Sequence, residues 1–202
     1  RVAAANSANS CGVPDAVWRR IGLKRIVSVS IGSSERDHAV ELELLGQQVR
    51  VERIGTDGDI DKAIALISEL DGRVDAFGMG GIDLYVWAGN RRYELRDAKR
   101  IARAASKTPI VDGSGLKNSL ERRIVTHLEE TMNIRWLERK VLLVSAVDRF
   151  GMAEELAKTG CDMVIGDLMF VLGLPIPLRS LPRFVKVARM LAPLAVQLPI
   201  SV

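Results

Sequence analysis

Thr108-Pro-Ile-Val-Asp112-Gly-Ser-Gly115-Leu-Lys117-Asn118 carries a strand, a turn and the approach to a helix in one short stretch. Ile110 and Val111 favour an extended backbone, and Asp112-Gly-Ser-Gly115 stops the strand. An amphipathic pattern then runs from Ser119 through Met132. A strand that restarts as a helix aims free N–H groups and the positive end of the helix dipole beyond its carboxyl end, a setting that suits an anion. Four segments of the chain share this plan of apolar run, small-residue loop and amphipathic helix.

Outward from this stretch the pattern repeats. Arg25-Ile-Val-Ser-Val-Ser-Ile31 is β-branched and ends at Gly32-Ser-Ser, which predicts a strand. Residues 39–45 and 48–54 alternate around Gly46-Gln47 as a hairpin. Asp59 precedes Ile60, Ala63, Ile64, Ile67 and Leu70, whose spacing predicts a capped helix closed by Gly72. Val74–Gly78 reads as a strand leading into Met79-Gly-Gly81. Residues 84–88 and 91–95 flank Gly89-Asn90 as an inserted hairpin. Helices are expected from Asp97, from Asp148 to Gly160, and over 181–191. Strands are expected over 140–145 and 162–166.

Strands alternating with helices imply a parallel sheet with right-handed crossovers. The fold class read from the sequence is α/β: a Rossmann-like, doubly wound, mainly parallel sheet with an inserted antiparallel hairpin. Residues 1–24 read as a weakly ordered N-terminal extension and 25–202 as the domain. The first residue is Arg and the chain closes on strand-like Leu198–Val202, so a C-terminal continuation is expected.

Composition narrows the classes. Apolar residues make up 48% and charged residues 27% of the 202, as in soluble globular proteins. Aromatics at 4% argue against binding single-stranded nucleic acid by stacking. Residues 1–167 are net neutral, and the +4 excess comes from Arg179, Arg183, Lys186 and Arg189. The first three fall near one helix face, either solvated or suited to phosphate or carboxylate. No apolar run is long enough for a membrane helix, and the N-terminal segment lacks the apolar core of a secretory leader. Cys11 and Cys161 give neither a metal spacing nor a disulfide framework, which fits a reducing cytoplasm. No membrane, nucleic-acid or metal partner is expected. A small anionic metabolite is, with room for a homo-oligomer.

In an open parallel sheet, ligands lie beyond the carboxyl ends of the strands. The loops expected to share one cleft are Asp112–Asn118 and Gly78–Asp83. Gly113 and Gly115 permit close backbone approach, Ser114 and Asn118 offer hydrogen bonds, and Gly80, Gly81 and Asp83 read as a phosphate or ribose loop. These seven are the cofactor-binding candidates. Lys117 places a cation at a helix start, where it is mildly unfavourable unless an anion or a proton transfer is near. Lys117, Asp112 and Asp148 are therefore the catalytic candidates, with Asp167 another strand-end carboxylate. Ser33, Ser34, Arg36 and His38, in the first strand's loop, are candidate substrate contacts. His127 borders the stripe of Leu120, Ile124 and Leu128 and reads as partly buried and structural. Neither Gly-x-Gly-x-x-Gly nor a Walker-type phosphate loop occurs.

Val27-Ser-Val-Ser-Ile-Gly-Ser-Ser, Arg53-Ile-Gly-Thr-Asp-Gly, Gly80-Gly-Ile-Asp-Leu-Tyr, Thr108–Asn118 and Gly166-Asp-Leu-Met-Phe together resemble bacterial proteins carried under the name quinate 5-dehydrogenase. The resemblance covers about residues 24–202. It implies NAD- or NADP-linked oxidation of a cyclic polyhydroxy acid. The Asn-x-Thr-x-Pro-x-Lys and Gly-Ala-Gly-Gly-Ala segments of well-understood quinate/shikimate dehydrogenases do not occur here, so Lys117 is not carried over from them. Three classes stay open on the sequence: a nicotinamide-dependent oxidoreductase, a non-redox isomerase or lyase of an anionic metabolite, and a non-catalytic ligand-binding module.

Overall fold

The computed structural model describes residues 22–199, which form two compact units. The first holds 22–82, 97–112 and Pro199; the second holds Asp83–Arg96 and Gly113–Leu198. Most of the expected extension, with Cys11, and the last three residues lie outside the described residues.

The first unit is built on a five-stranded sheet in the order β2-β3-β1-β4-β7. Its strands are β1 (Lys24–Ser30), β2 (His38–Leu44), β3 (Gln47–Gly55), β4 (Ala76–Gly80) and β7 (Ile110–Val111). β1 runs parallel to β3 and β4, β4 parallel to β7, and β2 antiparallel to β3 at the edge. Central β1 buries Val27 and Val29 on one face of the sheet and Ser30 on the other, between parallel neighbours β3 and β4. The β2–β3 turn uses Leu45 and Gly46, both at positive φ, a residue earlier than the sequence suggests. Helix α1 (Ile60–Leu70) has the expected bounds; Asp59 accepts from the Lys62 N–H at its start, and Ala63 and Ile67 are buried. Asp71 accepts from the backbone of Ser106, Lys107 and Thr108, pinning the approach to β7. The short helix α2 (Arg96–Ala102) buries Ala98 and Ile101.

β4 starts two residues later than Val74, because its pairing register with β1 begins at Ile26↔Ala76. The run thus reaches Gly80, and Gly78 to Gly80 are strand rather than loop.

The second unit contains the antiparallel hairpin β5 (Tyr85–Ala88) and β6 (Arg91–Glu94), and a separate parallel pair, β8 (Lys140–Leu143) and β9 (Asp162–Ile165). Its helices are α3 (Ser114–Met132), α4 (Phe150–Thr159), the single turn α5 (Asp167–Phe170) and α6 (Leu181–Ala195). Phe150 and Phe184 stack with centroids 6.5 Å apart in a core that includes Ala88, Val125, Leu143, Leu156 and Ile165. β8 and β9 pair with each other and join no strand of the five-stranded sheet. Arg179 precedes α6 and pairs with Asp162 at 2.9 Å, so it does not share a helical face with Arg183 and Lys186. Among the described residues, no helix is long and apolar enough to cross a membrane.

Candidate functional site

α3 begins five residues earlier than its apolar pattern indicates. Gly113 adopts φ +78°, a left-handed conformation that glycine takes without strain, and its carbonyl accepts from the Leu116 and Lys117 N–H groups. Lys117 is therefore part of the first helical turn rather than of a loop. Its Nζ lies 2.7 Å from Asp83 Oδ2 and also donates to Asp148 Oδ1. Asp83 stands at the entry to the hairpin and Asp148 in the loop after β8, so three separate segments of the second unit meet at one ammonium. Each side chain is about a quarter exposed: 26% for Lys117, 25% for Asp83 and 27% for Asp148.

The loop carrying Asp148 is held from behind. Buried Asp167 accepts from the N–H groups of Ala146 at 2.7 Å and Val147 at 3.0 Å. It opens α5 as expected, but its carboxylate fixes the loop before Asp148 rather than capping a helix. α3 and α4 are clamped by Arg122, which bonds Glu154 and Glu155, and by Arg149, which bonds Glu121. Gly151 sits where a Cβ would meet Asn118 Oδ1 at 3.1 Å, so glycine permits this close helix approach.

The two carboxyl groups are hydrogen-bonded to each other as well as to Lys117. Burial, followed by the hydrogen bond and charge of Asp148, pushes Asp83 up to about 6 against the pull of Lys117. Burial alone would raise Asp148, but the hydrogen bonds of Asp83 and Lys117 hold it below its ordinary value. Burial opposes the charge on Lys117, yet the two carboxyl groups outweigh it and hold the ammonium above its ordinary value. Near neutral pH, Lys117 and Asp148 are charged and Asp83 titrates. The set is then neutral or singly negative, so Lys117 presents no unbalanced positive charge to an anion.

Tyr85, Trp87, Ser114, Asn118, Phe150 and Gly151 complete the walls of a cavity around the three. Its free space is about 10 Å³, room for one water-sized group such as a hydroxyl or carbonyl oxygen. The structure thus brings together five expected residues: Lys117, Asp148, Asp83, Ser114 and Asn118. Asp83, expected with the cofactor loop, pairs here with Lys117, one of the expected catalytic residues. Backbone at Gly113 and Gly115 is open, with no atom within 4 Å of where a Cβ would stand.

The other candidates belong to the first unit, where most serve its own backbone. Asp112 follows β7 and is half-buried. A Cβ on Gly80 would come within 2.7 Å of Ser30 Cβ, so this glycine serves strand packing. Gly81 takes φ +72° against Ile31. The Ser33 side chain caps a short turn by accepting from the Glu35 N–H, and the Ser34 N–H donates to Asp57. Arg36 is exposed; exposed His38 begins β2 rather than sitting in a loop, its Nδ1 2.9 Å from the Arg36 carbonyl. His127 is exposed, which corrects its reading as partly buried: α3 turns Val125 inward, and Leu120 on the presumed inner stripe is 51% exposed. Tyr85, Trp87 and Phe150 were not anticipated. The available signal was Tyr85-Val-Trp87, two rings at strand spacing in a chain poor in aromatics.

Residues 25–112 match a family model described as a domain of unknown function (DUF8753), and residues 115–202 match another described as a domain of unknown function (DUF8754). No curated protein matches the chain. The two matches abut at the start of α3, yet hairpin β5–β6, inside the first match, folds with the second unit.

Proposed function

We propose that Lys117, Asp83 and Asp148 form the proton-transfer site of an NAD- or NADP-dependent dehydrogenase acting on a hydroxylated, quinate-like carboxylic acid. The observation that carries this reading is a carboxyl group poised at about 6, hydrogen-bonded to a lysine, in a cavity sized for one oxygen. A general base works best with a pKa near the working pH. In the oxidation direction Asp83 takes the hydroxyl proton, while the Lys117 ammonium stabilises the oxygen as negative charge develops on it. Asp148 keeps Lys117 protonated and aimed.

Bound nicotinamide would supply the hydride acceptor. The open backbone at Gly113 and Gly115, with Ser114 and the first turn of α3, fits a phosphate group of such a cofactor. The order β3-β1-β4-β7 supports a Rossmann-like, doubly wound reading of the first unit, whose strand order reverses between β1 and β4. A cytoplasmic setting and a small-metabolite partner accord with this chemistry.

A non-redox isomerase or lyase is the second reading, favoured by the same triad because proton transfer alone requires no hydride acceptor. The test incubates the full chain with NAD⁺ or NADP⁺ and quinate and follows reduced nicotinamide by absorbance. Formation of reduced nicotinamide that disappears in Lys117→Met is the expected result. Absence of both nicotinamide binding and turnover refutes the dehydrogenase.

A further inference from the structure

We propose that Arg92 receives the carboxylate of the ligand whose hydroxyl enters the Lys117 cavity, and so sets the requirement for an acid. The inference rests on the proton-transfer reading and deepens it. The hairpin register places Trp87 opposite Arg92 and Tyr85 opposite Glu94, so these four side chains share one face. Tyr85 and Trp87 are walls of the cavity. The Arg92 guanidinium lies 4.6 Å from the Tyr85 ring centroid, a cation–π contact that leaves the fork of N–H donors at its edge available. Arg92 itself is exposed.

Charge then decides where an anion can go. The cavity floor holds two carboxyl groups against one ammonium, so a third carboxylate there would meet like charge. Arg122 is engaged by Glu154 and Glu155, and Arg149 by Glu121, so neither is offered to a ligand. Arg92 carries its charge on the aromatic wall itself. Arg92 faces Trp87 across the hairpin, which points the carboxylate to the Arg92–Trp87 pair. A hydroxyl at Lys117 and a carboxylate at Arg92, bridged across Tyr85 and Trp87, describe a compact ring bearing both groups, with one face on the two aromatic rings.

The test measures equilibrium binding of quinate and of its uncharged methyl ester to the full chain. The proteins compared are wild type, Arg92→Gln, Arg92→Lys, Tyr85→Leu and Lys117→Met. Loss of a charge-assisted contact weakens quinate about tenfold or more in Arg92→Gln. Arg92→Lys recovers part of the affinity. Tyr85→Leu, which removes the platform but not the charge, weakens quinate to an intermediate degree. The ester binds wild type and Arg92→Gln alike, because it has nothing for the guanidinium to hold. Equal quinate affinity in wild type and Arg92→Gln, with Lys117→Met still impaired, overturns the Arg92 assignment alone. Quinate binding that Lys117→Met leaves unmoved overturns the proton-transfer reading. Failure of wild type to bind quinate overturns both.

Discussion

Replacing Asp83 with Asn tests the electrostatics of the site without any knowledge of its ligand. The folded-state value of about 6 stands above the ordinary 3.8, so the folded chain binds the proton more tightly than the unfolded one. Stability from this group is therefore complete below 3.8 and is lost as pH rises through about 6. At about 1.4 kcal/mol per pH unit the whole effect is about 3 kcal/mol, of which about 1.4 kcal/mol is lost above about pH 5. Asp148 is held low and stays ionised across that range in both states, so it adds no slope. Lys117, held high, adds none either. Asn mimics the protonated acid: its amide oxygen accepts from Lys117 and its NH₂ donates to Asp148. Asp83→Asn should already exceed wild type by about 1.6 kcal/mol at about pH 5, and the margin should grow by a further amount of about 1.4 kcal/mol, to about 3 kcal/mol, by about pH 7.5. Trp87 and Trp136 both belong to the second unit, so urea unfolding followed by fluorescence in a Trp18→Phe background reads that unit directly. A difference between variant and wild type that stays flat with pH, or falls as pH rises, refutes the assigned titration.

Three further substitutions separate structural glycines and carboxylates from functional ones. Gly115→Ala adds a methyl group to open space in the first turn of α3 and should stabilise the second unit by up to about 1 kcal/mol in urea unfolding; under the proposed cofactor placement it also weakens nicotinamide binding in titration. Gly80→Ala drives a Cβ to 2.7 Å from Ser30 Cβ and should cost the first unit about 1–3 kcal/mol, partly relieved by Ser30→Gly in a double-mutant cycle. Asp167→Asn leaves one oxygen for two N–H donors, at Ala146 and Val147, and should cost about 1–3 kcal/mol in chemical unfolding.

Legibility in the sequence followed how local each cause was. Helix α1 was readable to its ends because Asp59 and the Ile60–Leu70 stripe act within a few residues of one another. Both hairpins announced themselves through Gly46 and Gly89, each needed at positive φ. The start of α3 was misplaced because Ser114 to Asn118 lack an apolar periodicity, while the cause, the left-handed turn at Gly113, lies one residue upstream. Pairing partners were not readable at all. Nothing in Lys140–Leu143 or Asp162–Ile165 says that these strands pair with each other outside the five-stranded sheet, since a short apolar strand looks the same in any parallel sheet. Lys117 and Asp148 were legible as chemistry, yet the neutralisation of Lys117 was not. That depends on Asp83 and Asp148 reaching the same ammonium across 34 and 31 residues.

The hairpin that supplies Tyr85 and Trp87 has a consequence for how this chain can be divided. It lies inside the stretch matched by the first family model, yet Ala88 belongs to the core formed with Val125, Leu143 and Phe184. A gene severed between the two family segments would yield a C-terminal piece without its Ala88 knob and with Lys117 held by Asp148 alone, the Asp83 partner lost. Recombining either segment with a foreign partner would leave the same gap. The smallest transplantable version of the second unit must carry residues 83–96 with it, by circular permutation or by a linker that replaces 97–112. A heritable boundary in sequence and a physical one in the folded chain are, in this protein, different lines.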